Sequence, residues 1–479
     1  MSMRHCRAQH PNQQLDVLFK PLASTSTFPA DRNNYGPRIG LAWQPFGEGR
    51  GVVRVGYGLY FGRLPGATVR AALLDTALPT STTRIRITPS TEIVCPQQPQ
   101  VGFGYPCSFL VPPSGVLSQS ASAMMFSDRF QMPAIQQGTF SLERTVGWGI
   151  LGSASYVMNI DRQLPSSVDL NIAPSTGMAG FQLVGGNGRA GVKDHETFYV
   201  PMYTGRRSSS FGPVTEILSN ANATYNGLTL EARRGLGGRA GLGGIGRGLE
   251  FRLAWTWSKA LDLAPESGAV PRINGQFDPF TNRYDKAISA LNFPHRVVAT
   301  VVWAPRANAL FATELPALHT LLNSWSLASI FTESAGRPYS YLIFGGSRLP
   351  GGHESINGSG GSTVLPTTGR NTLRLPDTAN LDLRLARSFA IGERLRARAT
   401  ADAFNLVNRV NYSGITQRAY IAGAPGTSGA PAGITPLVFQ DAANIAAEGL
   451  NTLPFGTLTD SGAGSQRERR IQLGLRLEF

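Results

Sequence analysis

The chain has 479 residues, among them 55 glycines and 32 prolines, with a formal net charge of +14 and a mean hydropathy of -0.09. No stretch approaches the roughly 20 consecutive apolar residues a helix needs to cross a bilayer, which excludes an α-helical membrane protein; the spread of turn-forming residues and the scarcity of helical apolar spacing leave helix a minor element. The charge is almost wholly arginine, with lysine only at Lys20, Lys193, Lys259 and Lys286, and the arginines are spread one or two per strand with an apolar residue on each side, as in Leu383, Arg384, Leu385. That pattern describes a charged lumen wall rather than a nucleic-acid binder, whose cations mass among aromatic residues.

In chain order, residues 1–32 read as an atypical leading segment: Met1 to His10 is polar and holds no apolar signal-peptide core, and Leu15 to Phe19 offers one possible strand. From there the apolar residues recur with period two. Ile39 to Trp43 is followed by Val53, Val55, Tyr57 and Leu59 opposing Arg54, Gly56 and Gly58. Phe140 to Val146, Trp148 to Tyr156 and Leu228 to Ala232 come next, then Leu249, Phe251, Leu253, Trp255 and Trp257 opposing Glu250, Arg252, Thr256 and Ser258. Val297 to Trp303, Trp325 to Phe331, Leu381 to Leu385 and Leu395 to Ala403 continue the series. The last is the clearest: Ile471, Leu473, Leu475, Leu477 and Phe479 on one face, Gln472, Gly474, Arg476 and Glu478 on the other. Successive side chains of a strand point to opposite faces, so these eleven segments each present one apolar and one polar face.

A soluble sandwich alternates too, and the connections choose between the two. Short links (Gln44 to Gly51, Val146 to Trp148, Ala390 to Arg394) and intermediate ones (Gly235 to Gly248, Pro305 to Asn323) take turns with long ones: Gly62 to Gln137, Asn159 to Ala223, Ala260 to Asn292, Ser334 to Ala379 and Asn405 to Gln466. Strict alternation of short and long links is the mark of a membrane barrel, whose two rims face different compartments. Trp43, Trp148, Trp303 and Trp325 all fall beside short links, as an interfacial aromatic girdle requires. The expected fold is therefore an all-β, antiparallel transmembrane β-barrel, with residues 33–479 forming its wall and outer loops.

Several segments resemble the Oar-like branch of TonB-dependent outer-membrane receptors: "NNYGPRIGLAWQPFGEGRGVVRVGYGLYFGR" (Asn33 to Arg63), "TYNGLTLEARRG" with "FRLAWTWSKALD" (Thr224 to Asp262), "SWSLASIFTESAGRPYS" (Ser324 to Ser340), "NLDLRLARSFAIGERLRARATADAFNLVNRVNY" (Asn380 to Tyr412) and "RRIQLGLRLEF" (Arg469 to Phe479). The resemblance implies a location in the outer membrane and a parent of the 22-strand class, of which the eleven or twelve strands here are about half. It also implies a signal peptide, a carboxypeptidase-regulatory-like domain, a plug that engages TonB, and a first set of strands, which are expected to lie in the parent rather than in these residues. The chain is thus expected to be the C-terminal part of a longer barrel, with outer-membrane lipid, the missing plug and strands, TonB through that plug, and the barrel-assembly machinery as partners. Phe479 resembles the terminal aromatic by which barrel proteins are recognised for insertion. A smaller autonomous barrel is the alternative architecture, and it needs Leu15 to Phe19 as a twelfth strand.

Sites are sparse. Two GxGxxG matches, Gly186 to Gly191 and Gly241 to Gly246, lack the strand before and helix after that a dinucleotide loop requires and read as loops. There is no GxSxG elbow. Asp194, His195 and Glu196 are adjacent on an extended segment, so their side chains diverge and suit a metal poorly. His295 reads as a structural residue at a strand mouth. Cys95 and Cys107 share the first long link, where an oxidising exterior would sustain a disulfide; Cys6 stands apart. No cofactor or enzymatic activity is expected. The functional reading is uptake of a scarce or bulky solute, with Val101 to Phe109, Phe198 to Arg207 and Tyr339 to Arg348 as candidate solute-catching loops; the alternative is a structural or adhesive barrel that anchors them.

Overall fold

A computed structural model describes residues 11–26, 28, 31–47, 50–78, 121–235, 248–263, 275–305, 323–391, 395–426, 428–461 and 468–479. Eleven strands form one continuous antiparallel wall: β1 Arg38–Trp43, β2 Gly51–Phe61, β3 Ala134–Gly147, β4 Ile150–Asp169, β5 Phe211–Arg234, β6 Leu249–Asp262, β7 His295–Trp303, β8 Trp325–Ser334, β9 Thr378–Ile391, β10 Leu395–Phe404 and β11 Arg470–Glu478. Each pairs with its neighbours in chain order. These are the eleven segments that alternation marks, and no other strand joins this path among the described residues.

The register carries the alternation across the whole wall. Ile39, Leu41 and Trp43 stand opposite Tyr57, Val55 and Val53, Val55 opposite Phe140, and Leu230 opposite Trp255. Leu383 faces both Ser329 and Ala403, which in turn faces Ile471. A slip of one residue anywhere would turn a strand's apolar set to the other side; none occurs between these pairs, so a single apolar face runs from β1 to β11. The opposite face carries charged pairs: Arg54–Glu143 at 2.6 Å, Arg252–Glu231 at 2.8 Å and Arg384–Asp402 at 2.5 Å.

Among the described residues nothing packs on the apolar face. Leu473 is 78% exposed and Leu41 65%, and none of the four buried apolar clusters contains a leucine of the wall. A sandwich would bury those leucines between two sheets; a barrel wall gives them to lipid. The outer strands β1 and β11 do not pair with each other, so the sheet is open among the described residues.

The short links lie at one end of the wall and the long ones at the other, with Trp43, Trp303 and Trp325 at the short-link end. Trp148 differs from expectation. It does not open a strand but sits at the tip of the β3–β4 turn, where Trp148 and Gly149 both have positive φ (52° and 71°) between the paired Gly147 and Ile150. Two left-handed residues in a two-residue hairpin match the twist of the flanking strands. The ring remains at the girdle, 62% exposed.

Leu15 to Phe19 is no strand. Residues Gln13–Phe19 form helix α1, whose Asn12 side chain caps the Gln14 and Leu15 amides at 3.1 and 3.2 Å. Leu15 and Phe19, four residues apart on one helix face, are buried against Ala123, Met125 and Val214. The period there is helical rather than two, which removes the twelfth strand from the autonomous-barrel alternative. α1 and the strand Ala23–Ser24 are part of the packed layer at the long-link end.

The links contain more structure than their composition suggests. β4 runs on to Asp169 and β5 begins at Phe211, the two pairing through Ser166–Leu218 to Asp169–Thr215 beyond a bulge at Gln163, where φ is 58°. This extension leaves the membrane-facing pattern because its residues are buried under α1 and the strand Ala121–Ser127 rather than facing lipid. Above the wall, a separate five-stranded sheet takes Leu342–Phe344 from the β8–β9 link, Arg418–Ala422 and Ile434–Phe439 from the β10–β11 link, and Gly177–Val184 and Thr197–Met202 from the β4–β5 link. Its core joins Leu183, Tyr341, Tyr420 and Leu437 with Phe277 of the β6–β7 link.

Candidate functional site

Two of the three candidate loops come together, but as structural parts. Val200, from Phe198 to Arg207, and Tyr341 and Ile343, from Tyr339 to Arg348, share the loop-layer core. Tyr341 is 0% exposed, stacks on Phe455 at 5.1 Å and donates its hydroxyl hydrogen to the Ala190 carbonyl at 3.0 Å. Tyr203 donates to Asp278 Oδ1 at 2.8 Å; burial first, then that bond and the Asp278 charge, raise its phenol well above the usual range. Sequence reading takes these rings for exposed ligand contacts because a link's aromatic residues look alike until their partners, in other links, are known. Val101 to Phe109 lies outside the described residues, as do Cys6, Cys95, Cys107 and Gly241 to Gly246.

Gly186 to Gly191 is a turn after the strand Gly177–Val184, with Gly185, Gly186, Gly188 and Gly191 all at positive φ and no helix following. Asp194 secures that turn: its Oδ1 accepts from the Gly185 amide at 2.7 Å and the His195 amide at 3.0 Å. His295 opens β7, where its ring stacks on Trp255 with centroids 6.1 Å apart and its carbonyl accepts from the Ala335 amide at 2.9 Å. Phe479 follows β11 at the short-link end, 97% exposed.

The chemistry that alternation predicts for the inner face converges beneath the loop layer. A cavity of 500 Å³ is lined by Tyr225, Thr256, Ser258, Arg296, Thr332 and Asn380, with Asn411 at its margin. Pleating aims Thr256, Ser258, Arg296, Thr332 and Asn380 to the same side, since Thr256 pairs with Arg296 and Thr332 with Asn380. Its rim is hydrogen-bonded: Ser258 Oγ donates to the Phe293 carbonyl at 2.7 Å, the Ala260 amide donates to Asn292 Oδ1 at 2.7 Å, and Asn411 both accepts from the Ala379 amide at 2.8 Å and donates to its carbonyl at 3.1 Å. Arg296 is exposed within it and has no carboxylate partner among the described residues. A guanidinium with free donors among hydroxyls and amides, with the Glu333 carboxylate also lining the cavity, suits a polar group. The alternating pattern places Arg296 inward; that Asn411, from the β10–β11 link, closes the same cavity has no sequence signal.

Above the cavity, the loop layer is tied down by Arg370. It donates from Nε and Nη2 to the Asp285 carbonyl at 3.1 and 2.7 Å, and from Nη2 to the Asp262 carbonyl at 3.1 Å and to the Asp262 carboxylate. Burial pushes the Asp285 carboxyl up to about 7, against the Phe277 amide and Arg370, which pull it down, and with Asp278 adding to the rise.

No curated protein sequence matches the chain. Among solved structures it is similar to the outer membrane transporter YddB from Escherichia coli at 11% identity and a TM-score of 0.44, over 92% of this chain and 40% of that one. It is similar to the FrpB iron transporter from Neisseria meningitidis at 10% identity and a TM-score of 0.36, over 78% and 35%, and to the copper transporter OprC at 11% and 0.31, over 90% and 37%. The chain therefore spans 40% or less of the length of each of these proteins. The family described as the outer membrane beta barrel domain matches residues 7–472. With an apolar face open to lipid and a charged face turned inward over the same span, the chain belongs to the outer membrane β-barrel domain family.

Proposed function

We propose that this chain is the C-terminal part of a TonB-dependent, Oar-like transporter that takes up a scarce or bulky solute, its wall completed by further strands and a plug of the same parent polypeptide. The observation that carries the reading is the open wall. Among the described residues β1 and β11 each leave one backbone edge unpaired, and an unsatisfied backbone group in hydrocarbon costs several kcal/mol, so further strands must cover those edges in a membrane. With the short links in the periplasm, the loop layer caps the outer mouth and the Arg296 cavity lies on the path beneath it. Such a wall gives a solute a polar surface, and the loop layer restricts entry to one that can displace or pass it.

The test compares cells with and without the parent gene, with and without a protonophore, and measures depletion of solutes from the medium. The reading expects at least one solute whose depletion needs both the gene and the energised inner membrane. Depletion that survives the protonophore would show passive diffusion through a pore and sink it. Expressed alone, the chain is expected to aggregate or be degraded; a monodisperse, heat-modifiable monomer with stable conductance in planar bilayers would show an autonomous barrel instead.

A further inference from the structure

We infer that the outer face of the wall, where β4, β5 and β6 reach the long-link end, holds a phosphate-bearing lipid headgroup between Arg162 and Lys286. The apolar stripe stops at this corner. On β4 the lipid-facing residues Tyr156, Met158 and Ile160 give way to Arg162, and on β6 Trp255 and Trp257 give way to Lys259. The change from hydrocarbon-compatible to cationic side chains marks headgroup depth, and the two tryptophans below it are the residues that favour that boundary.

A cavity of 220 Å³ opens there, lined by Arg162, Asn222, Thr224, Leu261, Asp262 and Lys286. Its cations come from two separate parts of the chain. The bulge at Gln163 ends the regular pairing of β4 just after Arg162, while the bridge from Asp262 to Ala287 brings Lys286 alongside β6. Lys286 lines this cavity with Arg162, and Lys259 lies lower on the same face of β6, opposite Asn226. The acidic groups of the same corner are withdrawn from them: the Asp262 carboxylate is held by buried Arg370, and Asp285 is 2% exposed with its carboxylate on the Phe277 amide. Arg162, Lys259 and Lys286 are exposed, and none of them has a carboxylate partner among the described residues. The sheet separates charge across its thickness, with the carboxyl groups of Asp161 and Asp262 inside and the cations outside, above an apolar floor of Leu261. A phosphate on an acyl-chain anchor satisfies both halves of that surface. The inference rests on the lipid-facing wall and not on transport.

The test uses the full-length protein, extracted in mild detergent from outer membranes of cells grown on radiolabelled phosphate, and partitions the co-purified label between an organic lipid phase and free inorganic phosphate. Organic-phase label is expected to stay with the protein and to fall by about fivefold for Arg162→Gln or Lys286→Gln alone and about 25-fold for both, each cation near an anionic surface acting separately. Unchanged label in the double variant overturns the site. Label found only as inorganic phosphate overturns the lipid and leaves a phosphate site. Should the double variant fail to reach the membrane, the two single variants decide by the same criterion.

Discussion

Arg370, in the link between β8 and β9, holds the carboxylate of Asp262 at the end of β6, so one guanidinium fastens the loop layer to the wall across 108 residues of sequence. Both side chains are largely buried. The same guanidinium reaches the Asp285 carbonyl, which makes it the joint of three segments.

Removing that joint leaves a buried carboxylate without its partner. Arg370→Ala is expected to destabilise the loop layer by about 3–5 kcal/mol. Hydrogen exchange should quicken in segments 275–294 and 338–375 while β9 and β10 keep their protection. Uniform loss of protection, wall included, would show that wall and loop layer unfold as one unit.

Asp285 makes the same layer sensitive to pH. Its carboxyl is raised from 3.8 to about 7 in the folded chain, so the folded state binds the proton more tightly. That contribution is fully present below about pH 4 and is lost as pH rises through 7, amounting to about 4 kcal/mol at the alkaline end. Proteolysis of the 275–294 segment should speed up between pH 5 and 8, on the order of these pKa limits. Asp285→Asn, neutral throughout, should flatten the profile; an unchanged slope would assign it to another group.

The two faces of the wall should answer differently to the same new charge. Leu253→Arg places a guanidinium in lipid and is expected to cost about 2–4 kcal/mol. Ala254→Arg, one residue along, faces inward with Glu231 directly opposite and should cost little. Denaturant titration of the full-length protein in bilayers measures both. Equal costs would refute the assignment of faces.

Tyr341 tests whether the loop layer has a true core. It is fully buried, and Tyr341→Ala is expected to cost about 3–5 kcal/mol. Tyr341→Phe keeps the ring against Phe455 and loses only the bond to the Ala190 carbonyl, about 1 kcal/mol. Thermal protection of the loop-layer strands, followed by hydrogen exchange, separates the two; a mild Tyr341→Ala would mean the layer is loosely packed.

What the amino-acid order determines by itself is the wall. Lipid on one side and water on the other impose a choice on every second residue, and hairpin neighbours pair in chain order, so Leu249 to Trp257 or Ile471 to Leu477 declare their faces without reference to distant residues. The same local rule places Arg296 inward and four tryptophans beside short links. The loop layer obeys no such rule. Tyr341 meets Ala190 across 151 positions, and the five-stranded sheet is assembled from three links that are far apart in the chain. The helix at Gln13–Phe19, the burial of the loop aromatics, the Arg370 joint and the closing of the cavity by Asn411 were decided only there, because each depends on which distant segment supplies the other half of the contact.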